Sequence, residues 1–197
     1  MRYIITHIFY YSWFVLCLFI SCQKNTNSSH NVDTKHIAES NSPFLDSLKN
    51  GLYYNSDEGE YYRFHNGKYI FDTTYVEESR TIHDVLYMSV GDVLIENDFD
   101  NDGVDDALVT LTANGGGSGI FVAVVVMLNK NSTPIYSDSK WLGDRISIDS
   151  SAMVGDSIFV YSIIQGPDEP MCCPTMPYIF KLLYHENKLQ LLNDPRR

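Results

Sequence analysis

Ala107-Leu108-Val109-Thr110-Leu111-Thr112, then Asn114-Gly115-Gly116-Gly117-Ser118-Gly119, then Ile120-Phe121-Val122-Ala123-Val124-Val125-Val126-Met127-Leu128 is the stretch that decides the fold. The first segment alternates well enough for a strand. The third is almost wholly apolar, rich in Val and bounded by turn residues, which is the pattern of a central strand buried on both faces. The glycines between them read as a wide hairpin loop. A phosphate-binding P-loop would need Gly-Lys-Ser/Thr opening a helix, and here a strand follows.

Outward from that pair the period stays at two. Tyr61-Tyr62-Arg63-Phe64-His65, Asn66-Gly67 and Lys68-Tyr69-Ile70-Phe71 read as a hairpin, because Asn-Gly readily takes the positive φ angles of a tight turn. His65 beside it reads as a strand-surface residue. Ile82 to Val90, Val93-Leu94-Ile95, Arg145 to Asp149, Ser157 to Ile164, Tyr178 to His185 and Lys188 to Leu192 are further strand candidates, and Pro134 reads as a break. Ser42-Pro43 offers a helix N-cap with Pro at the first position, Gly51 a stop, and Phe44, Leu45 and Leu48 an apolar stripe. The expected class is all-β, mainly antiparallel, as a curled sheet or a small sandwich or barrel with one short N-terminal helix. With 197 residues the chain has the length of one ordinary domain, expected over residues 43–194.

One loop points to a definite chemistry. Between Asp92 and Asp106 lie Asp92, Glu96, Asp98, Asp100, Asp102, Asp105 and Asp106, with no Lys or Arg among them. So many carboxylates repel unless a cation or protonation relieves them. Asp98, Asp100 and Asp102, two residues apart, can converge on one point, and Gly103 permits a sharp turn. Val104 would then offer its carbonyl and Asp106 the ninth-position ligand, an all-oxygen set suited to Ca2+. The acidic residue of an EF-hand's twelfth position falls on Val109, and strands flank the loop, so an EF-hand is not expected. The pattern resembles the strand-flanked Asp-x-Asp-x-Asp-Gly-x-x-Asp loops of bacterial and integrin-type β-repeat proteins, which implies structural calcium. Lacking the twelfth ligand, its affinity is expected at the weak extracellular end, on the order of 0.1–1 mM. The alternative is a solvated acidic turn without metal.

The N-terminal residues read as an export signal. One positive charge at Arg2, an apolar run from Ile4 to Ile20, and Ser21-Cys22 before a polar segment are its parts. Phe19-Ile20-Ser21-Cys22 resembles a bacterial lipobox, with Phe19 where Leu is usual. That resemblance implies a signal peptide over 1–21, acylation of Cys22 and a polar tether over 22–42 holding the domain at a bacterial envelope membrane, outer membrane or cell surface. The alternative is a retained transmembrane anchor, weakened by Thr6, His7 and Ser12 in a span marginal for a bilayer. Without residues 1–21 the chain has 13 Lys and Arg against 25 Asp and Glu, a net charge of −12. That balance argues against nucleic acid and anionic lipid surfaces as partners.

Cys172 and Cys173 are adjacent, so they read either as a vicinal disulfide or as two buried thiols in a loop. No Cys-x-x-Cys or paired His spacing supplies a zinc site. The six His residues are scattered and suggest no nucleophile–base pair. Asn97 to Ala107, Gly116-Gly117-Ser118-Gly119-Ile120-Phe121, Leu142-Gly143-Asp144-Arg145 and Asp168-Glu169-Pro170-Met171-Cys172-Cys173-Pro174-Thr175 together resemble a group of uncharacterised bacterial secreted or lipid-anchored proteins. The resemblance spans roughly Leu48 to Leu192 and implies one domain and no particular reaction. The function expected is a non-enzymatic envelope module, with a protein or glycan partner that the sequence does not identify. The alternative is an exported hydrolase assembled from Asp144, Arg145 and the Cys172–Cys173 loop.

Overall fold

A computed structural model describes residues 42–55, 59–170 and 172–195. The expected signal segment, Cys22 and the expected tether lie outside the described residues. The elements are α1 (Pro43–Leu48), β1 (Leu52–Asn55), β2 (Glu60–Arg63), β3 (Lys68–Glu77), β4 (Arg80–Asn97), β5 (Asp106–Asn114), β6 (Phe121–Lys130), β7 (Thr133–Asp144), β8 (Ser147–Val154), β9 (Ser157–Ile164), β10 (Met176–His185) and β11 (Lys188–Leu191). They form a five-stranded sheet β3-β4-β5-β6-β7, a four-stranded sheet β11-β10-β9-β8 and the pair β1-β2, with every pairing antiparallel. The class is all-β, with one short helix and no closed barrel among the described residues.

β5 and β6 are buried on both faces, as their sequence implies. Alternate side chains of a strand point to opposite faces, so two cores share these strands. Ala107, Val109, Leu111, Ala123, Val125 and Met127 face Phe44, Leu48, Tyr53, Tyr62 and Phe64 of α1, β1 and the segment through β2. Leu108, Val124 and Val126 face Phe99, Leu142, Ile158, Val160, Phe180 and Leu182, the last four from the second sheet. The two sheets are also stitched at their margins. Ser151 Oγ of β8 donates to Leu94 O of β4 at 2.7 Å, and Leu189 N of β11 donates to Asp138 Oδ2 of β7 at 2.8 Å.

Three local readings are corrected. Asn66 (φ 51°) and Gly67 (φ 77°) do make the tight turn, but only the bridge His65↔Lys68 follows from it. β2 then pairs with β1, because Tyr62 and Phe64 are drawn into the first core while Gly67 N donates to Lys49 O and Phe64 N to Gly51 O. Pro134 breaks nothing: it sits near the start of β7, the edge of its sheet, where a missing N–H is tolerated. β4 is one 18-residue strand that continues through Gly91 with register shifts around Val93. A Cβ on Gly91 would lie 2.3 Å from Thr110 Oγ1, so any larger residue there would force the Thr110 hydroxyl aside.

α1 matches its signals in place and length, with Phe44 and Leu48 buried and Pro43 at its first turn. Ser42 serves it through its backbone carbonyl, which accepts from Asp46 N, and its hydroxyl makes no capping bond.

Candidate functional site

The loop between β4 and β5 folds around its own carboxylates. Asp98 Oδ1 accepts from Asp102 N at 3.0 Å and Asp98 Oδ2 from Gly103 N at 2.9 Å. Asp100 Oδ1 accepts from Asp102 N at 3.2 Å, and Asp102 Oδ1 accepts from Val104 N at 3.0 Å. Asn101 (φ 60°) and Gly103 (φ 87°) take the left-handed conformations that turn the chain this sharply. Asp106, the first residue of β5, is fully buried. Its Oδ2 accepts from Phe99 N at 2.9 Å and its Oδ1 from Asn129 N at 2.8 Å, so it locks the loop to the end of β6. Burial, together with the charges of Asp100 and Asp102, raises its pKa against the pull of those two hydrogen bonds.

Of the five ligand positions expected from the sequence, the carboxylates of Asp98, Asp100 and Asp106 converge. One oxygen from each lies within 4.8 Å of the others. Asp102 is outside that cluster and, like Asp100, is paired with a group that the loop's own spacing does not reveal. Lys130, at the end of β6, places Nζ 2.5 Å from Asp100 Oδ2 and in contact with Asp102 Oδ2. The hydrogen bond to the Lys130 ammonium is the main cause that lowers the Asp102 pKa. The two carboxylates hold the Lys130 ammonium well above its ordinary range. Val104 is exposed, with its N–H committed to Asp102. Lys130 was within reach of sequence reasoning. Antiparallel pairing of β5 with β6 across the glycine loop sets Ala107 against Met127, which brings the end of β6 beside the acidic loop.

Chemically the donors are all hard oxygens, a set that suits Ca2+ or another hard divalent cation over zinc or copper. Beside the loop lies an open, polar cleft of about 590 Å³, lined in part by Asp98, Phe99, Met153, Tyr184 and His185.

The other candidates sit elsewhere. Asp144 Oδ2 is 2.5 Å from Arg145 Nη1, and Asp144 Oδ1 accepts from Ile120 N at 2.8 Å. Arg145 Nη2 donates to Ser118 O at 2.8 Å and to Ser118 Oγ at 3.1 Å. Both side chains are therefore occupied in tying the glycine loop to the crossing between the sheets. Cys172 and Cys173 are joined by a disulfide in the exposed β9–β10 loop. That loop is organised by Glu169, a residue the sequence did not mark out. Its Oε2 accepts from Gly166 N at 2.8 Å and Thr175 N at 3.0 Å, and its Oε1 accepts from the Thr175 hydroxyl. Neither the cleft beside the acidic loop nor a second one, lined in part by Tyr62, Tyr69, Phe71 and Leu86, is lined by Asp144, Arg145, Cys172 or Cys173. No helix of the described residues is long and apolar enough to cross a membrane. No protein-family model, curated protein or solved structure matches the chain.

Proposed function

We propose that this chain is a lipid-anchored bacterial envelope protein, a non-enzymatic binding or structural module whose β domain is fastened by calcium in the Asp98–Asp106 loop. The observation that supports it best is the convergence of Asp98, Asp100 and buried Asp106 within 4.8 Å, at the mouth of the strand shared by both cores. Three clustered carboxylates favour a divalent cation by direct charge attraction, and calcium accepts the irregular geometry of a loop. Ca2+ would take Asp98, Asp100 and Asp106, with Asp102, the Val104 carbonyl or water filling its shell. The Lys130 ammonium would leave Asp100 as the ion arrives, since one oxygen cannot serve both cations at full strength. The ion's role would be to hold the β4–β5 connection and the end of β6 in one geometry. Anchorage rests on Cys22 and the polar run after it, and the acidic net charge suits a domain held off an anionic surface.

Thermal unfolding with and without calcium tests the site. At a dissociation constant of about 0.1–1 mM, 10 mM Ca2+ adds roughly 1.4–2.7 kcal/mol to the folded state. For a domain of this size that is a rise of roughly 3–10 °C in Tm. The rise should vanish in Asp98→Asn/Asp100→Asn. An unchanged Tm at 10 mM Ca2+, or the same rise in the double variant, would overturn the calcium reading.

A further inference from the structure

The sheet edges of this fold are blunted, with one exception. β7 begins with Pro134 near its start, carries two register shifts, and receives the Leu189 N–H of β11 on Asp138. β8 has a register shift after Ile148 and is tied to β4 by Ser151. β1, β2 and β11 have four residues each. Short, bulged or covered edges are how β proteins avoid pairing with one another. β3 has none of these devices. It is ten residues long, pairs with β4 through Lys68↔Ser89 to Glu77↔Arg80 without a shift, contains neither Pro nor Gly, and among the described residues has no strand on its other side.

Its side chains are also unusual for an open edge. Ile70 is 61% exposed, Phe71 41%, Tyr75 45% and Val76 72%. Beyond Tyr87, where β4 begins to pair with β5, β3 and the start of β4 continue as a two-stranded arm. A two-stranded ribbon of this kind is marginal by itself in water. The arm therefore offers both unpaired backbone groups and apolar side chains.

We infer that β3 is an interaction surface whose partner is β3 of a second copy of this chain, paired antiparallel about Thr73. The strand is self-complementary in that register. A two-fold axis perpendicular to a sheet must pass through the centre of a residue pair, so Thr73 faces Thr73 of the second copy. Phe71 then meets Tyr75, Ile70 meets Val76, Asp72 meets Thr74, and Lys68 at the strand's start comes level with the acidic turn residue Glu78 of the second copy. Aromatic and β-branched cross-strand pairs are the stabilising kind, and opposite charges at both ends fix the register. Shifting the axis by one residue toward Lys68 would bring Asp72 against Asp72, a repulsive pair, and shifting it toward Glu77 would set Phe71 against Glu77 and Asp72 against Val76, losing the aromatic and β-branched pairs.

The hydrogen bonds agree with this register. Glu77 and Arg80 flank the two-residue turn Glu78-Ser79, so they form a hydrogen-bonded pair, and bonding alternates from there. Ile70, Asp72, Thr74 and Val76 thus direct their N–H and C=O outward, and they oppose one another across the axis. About eight intermolecular backbone hydrogen bonds follow from that geometry. Thr73 falls at a non-hydrogen-bonded pair, where Cα atoms approach to about 4.5 Å.

That last distance provides the test. Cysteines at such a pair are within disulfide reach, so Thr73→Cys in the full chain should give an intermolecular disulfide, seen as a doubled mass on non-reducing gels. Val154→Cys, on β8 and more solvent-accessible than Thr73, should stay at the parent's level. Adding Thr74→Pro removes an outward N–H while leaving the β3–β4 ladder intact, and should cut the crosslinked fraction at least tenfold. Unchanged circular dichroism of the double variant shows that it folds. A Thr73→Cys chain no more crosslinked than Val154→Cys, a dimer that persists with Thr74→Pro, or a crosslink to a chain of different mass would each overturn the inference.

Discussion

Glu169 commits both carboxylate oxygens to the Gly166–Thr175 loop, and this has a pH signature. The N–H of Gly166, then the hydroxyl and N–H of Thr175, stabilise the charged form and hold its pKa below the ordinary 4.5. For a group with a depressed folded pKa, stability is present above the unfolded value and is lost as the pH falls through the folded one. The amides of Gly166 and Thr175 should therefore be protected from exchange at about pH 6 and lose protection progressively below about pH 4.5. Glu169→Gln keeps one acceptor but no titrating group, and should exchange with no such step. Equal protection of the two amides in the parent at about pH 3 and about pH 6 would refute this role for Glu169. The same residue shows why part of the molecule was illegible in the sequence. Glu169 lies in a motif noticed for its cysteines, and nothing in a linear reading says which side chain of a loop will collect its N–H groups. Asp106 was found through ligand spacing, but its burial and its bond to Asn129 N depend on a strand 23 residues away.

At the scale of elements, β5 and β6 act as a shared wall between two cores, and this can be measured. Phe64 lies fully buried in one core and Leu108 fully buried in the other. Phe64→Ala should cost about 3–5 kcal/mol and Leu108→Ala about 2–5 kcal/mol by the loss of buried area and the cavity left behind. Because the side chains sit on opposite faces of the sheet and share no partner, the double variant should lose the sum to within about 0.5 kcal/mol. Denaturant unfolding of the three variants decides it: a large coupling would mean that the sheet deforms as one body and that the two cores are not separate. The pairing of periodicities made this wall legible beforehand, since an unbroken apolar run has no polar face to turn to water, and only Ile120 and Phe121 at its start are half exposed. β7 was missed for the opposite reason. Ser137, Asp138, Ser139 and Lys140 look like a loop in sequence, yet an edge strand with half-buried side chains needs no apolar alternation. The hairpin around Asn66-Gly67 was half legible. Local chemistry dictates the turn, but the burial of Tyr62 and Phe64 decides where β2 pairs, and burial is a property of the whole fold.

At the scale of the whole molecule, from β3 to β11 each strand pairs only with its neighbours in sequence, and the one crossing between sheets runs through Arg145-Ile146. Such a chain needs no remote segment to complete its sheets, which suits a domain tethered at one end. On the proposed reading the anchor and the domain are then independent devices, and Cys22→Ser separates them. A thiol at position 22 is the only group there that can accept a thioether-linked lipid, so the variant should move from the membrane fraction to the soluble fraction of cells. Its Tm and its response to calcium should equal those of the parent, because α1 begins only at Pro43, with the whole polar tether between it and Cys22. Fractionation with antibody detection, followed by melting of the purified variant, reads both outcomes. Continued membrane retention of Cys22→Ser would mean that the apolar run from Ile4 to Ile20 is itself the anchor. A lowered Tm in a released variant would mean that the lipid-bearing end packs on the domain, and that the stability attributed to the two cores depends in part on the membrane.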